Sequence, residues 1–157
     1  MALSEAAIGL DASYPAQPPQ VAAVRRAVSG MARRAGVDTS TLIRLELAIS
    51  EAATNVVLHA YREPGDSGRM HITACVDRGV LDVCVRDHGC GMSPRHDSPG
   101  MGLGLSLMAA ESDHFEVRTA TGGGTEVLLR FLLGDPGTAP PRQRLTRRAT
   151  AATRATA

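Results

Sequence analysis

The chain has no tryptophan, only two tyrosines and two phenylalanines, and no lysine, so all seventeen basic residues are arginine. Aromatics at 3% exclude an aromatic core, and the 43% of hydrophobic residues must pack as aliphatic side chains. The arginine-only set reads as codon usage in a GC-rich genome, not as chemistry. No apolar run approaches the roughly 18 residues a membrane-spanning helix needs. The N-terminus also lacks the basic-then-apolar order of a secretory leader. Cys75, Cys84 and Cys90 are an odd number of cysteines without paired metal spacing. They are expected as reduced thiols of a cytoplasmic protein, with no Cys75–Cys84 disulfide. A net charge of +1 gives no reason to expect direct nucleic-acid or membrane binding.

What is present divides the chain at about Gly134. Residues 135–157 carry five arginines and one acid among Ala, Thr and Pro, the pattern of a disordered tail. Residues 1–134 are long enough for one domain with a real core. A strand is expected within residues 3–14, followed by a break at Pro15, Pro18 and Pro19. Apolar residues at 21, 24, 28, 31 and 35 then mark a helix over 20–35, with Gly36 suited to its C-cap. A second helix runs to about His59 after Asp38, Thr39 or Ser40 as N-cap candidates. Its core face is Leu42, Leu45, Ile49, Ala52, Ala53, Val56, Val57 and Ala60, and Glu51, Asn55 and His59 line another stripe with Arg44 and Arg62. The segments "RMHITACV" and "VLDVCVRD" alternate around "DRG" as a β-hairpin. Residues 88–104 read as a glycine-rich loop, "LSLMAAESD" as a short helix, and residues 114–133 as a second hairpin around "TGGG". Strands paired mainly with sequence neighbours imply an α+β two-layer sandwich: a mostly antiparallel mixed sheet with helices on one face.

Three stretches carry candidate chemistry. Glu51 and Asn55 lie one turn apart and project together, a carboxylate beside a carboxamide oxygen. Asp87 ends an alternating strand, and Gly89 and Gly91 follow where a flat ligand would approach bare backbone. Such a carboxylate accepts a hydrogen bond from an exocyclic amine. Gly100, Gly102 and Gly104 open a helix, whose free N–H groups suit a phosphate. An Asn oxygen fits magnesium, which takes few protein ligands. Singly, each has a plainer reading: a solvated helix face, a hairpin turn, a loop. The five histidines show no metal spacing, and the four arginines of the first helix (Arg25, Arg26, Arg33, Arg34) read as a solvated face before a partner surface.

In this order and spacing the stretches resemble a known set. "EAATNVVLHAY" is similar to the N-box, "DHGCGM" to the first glycine box and "GMGLGLSLM" to the second glycine box of the GHKL (Bergerat-fold) ATPase superfamily, which includes histidine kinases, gyrase and MutL. "GGGTEVLLRF" resembles its late Gly-Thr box, and the match spans roughly residues 5–133. Within the superfamily the chain most resembles the bacterial anti-sigma factor serine/threonine kinases. The resemblance implies Glu51 as general base, Asn55 as the Mg2+ ligand, and Asp87 on the adenine amine with Gly89 and Gly91 shaping the base pocket. It implies Gly100, Gly102 and Gly104 at the phosphates of ATP, Thr125 near the adenine, and Met92–Pro99 as a lid. Arg62 and Arg95 are candidates for the γ-phosphate. The implied activity is Mg-ATP-dependent phosphorylation of a STAS-domain anti-sigma factor antagonist, with sequestration of a sigma factor, by a homodimer joined through its first strand and helix. The rival reading is an ATP-binding module that sequesters its partner without phosphorylating it. A histidine kinase domain is disfavoured, since the chain has no room for phosphoacceptor helices.

Overall fold

Pro18 and Pro19, read from sequence as part of a break, instead start a helix in the computed structural model of the chain, which describes residues 8–61, 68–91 and 101–134. Proline lacks an N–H, and the first turn of a helix needs none, so the two residues fit where an interior pair would not. The helix is α1, Pro18–Arg34, preceded by strand β1, Ile8–Pro15. Gly36, at φ 79°, closes it: Val37 N–H donates to Ala32 O and Gly36 N–H to Arg33 O, both at 3.1 Å. That pairing needs a left-handed residue at its centre, which glycine supplies without strain.

Asp38 caps helix α2, Thr39–Asn55, by accepting from Thr41 N–H at 3.0 Å and Thr41 Oγ1–H at 2.7 Å. The expected end near His59 is reached, but the last stretch, Val56–Ala60, widens into a π turn. Hairpin strands β2, Arg69–Asp77, and β3, Val80–Asp87, turn through Arg78 (φ 47°) and Gly79 (φ 75°), the two left-handed residues of a type I′ turn. Helix α3 is Met101–Glu111, so Gly102 and Gly104 already lie inside it and not in the preceding loop. Strands β4, His114–Thr119, and β5, Thr125–Leu132, form the second hairpin.

The sheet order is β1-β2-β3-β5-β4, and every pairing is antiparallel, so no parallel pair makes the sheet mixed among the described residues. The helices cover one face. Met70 and Ile72, Leu81 and Val83, and Leu129 and Phe131 meet Val24, Val28, Met31, Leu45, Ile49 and Met108 in one buried cluster. Burying each such side chain is worth about 1.5–3 kcal/mol. On the other face stand Asp11, Thr73, Cys75, Cys84 and Arg130, lining a groove of about 740 Å³ that contains none of the predicted site residues. Cys84 lies opposite Thr73 and Cys75 opposite Asp82, and all three thiols are free. No helix among the described residues is long and apolar enough to cross a membrane.

Candidate nucleotide site

Glu51 faces α3 from the C-terminal end of α2, four residues before Asn55. Gly104 is buried opposite it, and a Cβ there would collide with the Glu51 carboxylate. The absence of a side chain at Gly104 is therefore what lets α3 close on α2 at the acid. Among the described residues Glu51 makes no hydrogen bond or ion pair. Asn55 follows one turn later, where α2 passes into the π turn, and its amide nitrogen is buried without a hydrogen-bond partner. A buried donor left unmatched is costly, and an acceptor such as a phosphate oxygen would satisfy it. Arg44, placed by periodicity on the same stripe, is committed elsewhere. It bonds Asp113 Oδ1 at 3.1 Å and lies over the Phe131 ring at 5.7 Å.

Asp87 stands at the other end of the site, 4% exposed at the end of β3. Its Oδ1 accepts from Gly89 N–H at 2.9 Å and Thr125 N–H at 3.2 Å. Oδ2 takes no donor among the described residues, so a buried carboxylate is held in a fixed direction with acceptor capacity to spare. An exocyclic amine is the partner it fits. Glycines line the approach. A Cβ at Gly89 would strike the Ala60 carbonyl, Gly91 has φ 75°, and a Cβ at Gly124 (φ 89°) would strike the Asp87 carbonyl.

The two ends are tied through the π turn. Cys90 N–H donates to Ala60 O at 2.8 Å, Cys90 Sγ–H donates to His59 O at 3.3 Å, and His88 N–H donates to Tyr61 Oη at 3.0 Å. The carbonyls that end the Asn55 helix thus receive the loop that shapes the base pocket. A π turn at this point re-aims the chain where the site is built. Gly124, Tyr61 and the Cys90 N–H were missed in the sequence. Gly124 stands in the late Gly-Thr box without a role of its own there, and the other two act through contacts of long sequence separation. Gly102 is exposed, with open space around it. Gly100, Arg62, Arg95, the Met92–Pro99 stretch and the 135–157 tail lie outside the described residues.

A nucleotide fits what is present: a carboxylate with a spare acceptor, glycines that let the loop and the β4–β5 turn close around it, and an amide donor without a partner among the described residues. Asn55 also carries the amide oxygen that a magnesium ion would take. Among the described residues no three His, Cys, Asp or Glu side chains gather to hold a metal. A cation here would be held through one amide oxygen and its ligand's phosphates, which is how magnesium binds.

The profile of the histidine kinase-like ATPase domain matches residues 14–131. Serine-protein kinase RsbW of Bacillus subtilis is 32% identical over 141 residues, covering 80% of this chain and 87% of that protein. The RsbW of Bacillus licheniformis is 30% identical, covering 83% and 89%. Among solved structures, the RsbU and RsbW domains of a Mycobacterium tuberculosis protein share the fold at TM-score 0.65 and 23% identity, over 82% of this chain and 33% of that one. A blue-light activated histidine kinase of Erythrobacter litoralis aligns at TM-score 0.52 and 26% identity, over 76% and 61%. The chain belongs to the histidine kinase-like ATPase domain family and stands there with the serine-protein kinases, an ATP-binding serine/threonine kinase of the GHKL type.

Proposed function

We propose that the chain transfers the γ-phosphoryl group of Mg-ATP to a serine or threonine of a STAS-domain anti-sigma factor antagonist, and holds a sigma factor when that antagonist is phosphorylated. The observation that carries this reading is the α2–α3 seam, where the Glu51 carboxylate, unpaired among the described residues, lies against Gly104 and one turn from Asn55. Without an ion-pair partner among the described residues, Glu51 suits the task of taking a proton from an acceptor hydroxyl. Glu51 accepts the hydroxyl proton as the serine oxygen bonds to the γ-phosphorus and the bond to the ADP oxygen breaks. Asp87 orients the adenine through Oδ2, which takes no donor among the described residues, with Thr125 and Gly89 holding the carboxylate still. Asn55 would hold the magnesium, which when bound neutralises and orients the phosphates. Gly102 and Gly104, in the first turn of α3, would serve the phosphate chain, together with Gly100 of the same motif.

The assembly would be a homodimer through β1 and α1. A phosphate on the antagonist adds charge that disfavours its docking and frees the kinase for the sigma factor. The test is phosphate transfer from γ-labelled ATP into the host's cytosolic extract, comparing wild type with Glu51→Ala. The expected result is a small protein labelled on serine or threonine by the wild type and not by the variant. If nothing is labelled while ATP binding is intact, the site binds and gates without a reaction.

A further inference from the structure

The described residues expose five large apolar side chains: Ile43, Leu47, Leu58, Leu103 and Leu132. Scattered singly, exposed leucines are ordinary. Four of these five are not scattered. Ile43 and Leu47 stand one turn apart on the side of α2 opposite its buried Leu42, Leu45 and Ile49, and Leu47 lies one turn before Glu51. Leu58 continues the line on the π turn, 62% exposed. Leu103, 79% exposed, directly precedes the Gly104 against which the Glu51 carboxylate packs. On helix α1 the exposed side chains include Arg26, Arg33 and Arg34. On α2 and α3 the outer surface around the acid carries leucine instead.

We propose that Leu47, Leu58 and Leu103 are the seat of the protein substrate, a folded protein that presents its acceptor hydroxyl from an apolar patch. The inference rests on Glu51 being the base. An acceptor hydroxyl must come within hydrogen-bond reach of that carboxylate, so the protein bearing it lies on the α2–α3 seam and covers the leucines. Covering them also shuts water away from the base, which favours transfer to the hydroxyl over hydrolysis. Specificity for a folded partner, not a free serine or a polar peptide, is built into the rim of the site.

The experiment uses the full chain and the purified protein that the wild type labels. Wild type, the double variant Leu47→Gln with Leu103→Gln, and the sheet-face control Leu132→Gln are compared for phosphoryl transfer, ATP affinity and particle mass in solution. The double variant is expected to transfer at least tenfold more slowly at limiting substrate, with ATP affinity within twofold, mass unchanged, and Leu132→Gln behaving as wild type. Transfer at the wild-type rate overturns the inference. So does a parallel loss of ATP affinity, which would assign the leucines to the nucleotide site, or a fall in mass, which would make the ridge a contact between copies. No labelling by the wild type itself would instead defeat the kinase reading on which the inference stands.

Discussion

At Gly104 a single missing side chain decides whether the acid can sit in its seam. Alanine there would drive its Cβ into the Glu51 carboxylate, so either the helices separate or the acid swings away. Overpacking of this kind costs about 1–3 kcal/mol, and the expected outcome for Gly104→Ala is a lower melting temperature together with slowed phosphoryl transfer. Thermal unfolding and a transfer assay on one preparation check both. Asp87 shows the opposite device, a side chain fixed by its surroundings. Two N–H groups converge on one of its oxygens, so the other keeps a constant direction without needing the ligand to organise it. Residues of this kind bind by being held ready.

Elements act through their ends. Asp38 closes the first turn of α2, and hydrogen bonds from the Ser40 hydroxyl and then from Thr41 lower its pKa to about 2. The folded value lies below the unfolded value of about 3.9, so the cap contributes fully above that value and is lost as pH falls toward 2. Asp38→Ala is expected to cost about 1 kcal/mol at neutral pH. The gap between variant and wild type should close between about pH 4 and pH 2, as thermal unfolding across a pH series would show. Both hairpins and the core stripes of α1 and α2 were legible in the sequence, because alternation and the 3.6-residue period survive directly in side-chain burial. The start of α1 was not, since proline signals a break and a helix start with the same letter. Nor was the π turn at Val56–Ala60, where the residues are ordinary helix formers and the widening is bound up with Cys90, thirty residues away. Glu51, Asn55 and Asp87 were legible as motifs. The packing of Gly124 against the Asp87 carbonyl was not, because only the finished sheet brings the β4–β5 turn to the end of β3.

At the scale of the whole molecule, the site joins two layers that would otherwise share only a core. The sheet supplies Asp87 and Thr125, the helical layer supplies Glu51 and Asn55, and the π turn with Cys90 connects the two. The groove on the far face of the sheet is separate from this arrangement, with Arg130 and Asp82 on its lining paired at 2.6 and 2.8 Å. In the proposed reading Asp87 would grip the base from the sheet, while in the helical layer Asn55 and the α3 glycines would hold the phosphates and Glu51 would move a proton. The measurement that tests this division is equilibrium ATP binding beside single-turnover phosphoryl transfer, on wild type, Glu51→Gln and Asp87→Asn. The account predicts that Glu51→Gln binds ATP within about twofold of wild type while transferring on the order of 100-fold more slowly, the scale of a lost general base. It predicts that Asp87→Asn weakens binding about tenfold or more, the scale of a hydrogen bond to a charged group. Wild-type transfer by Glu51→Gln, or loss of ATP binding by both variants alike, would contradict it.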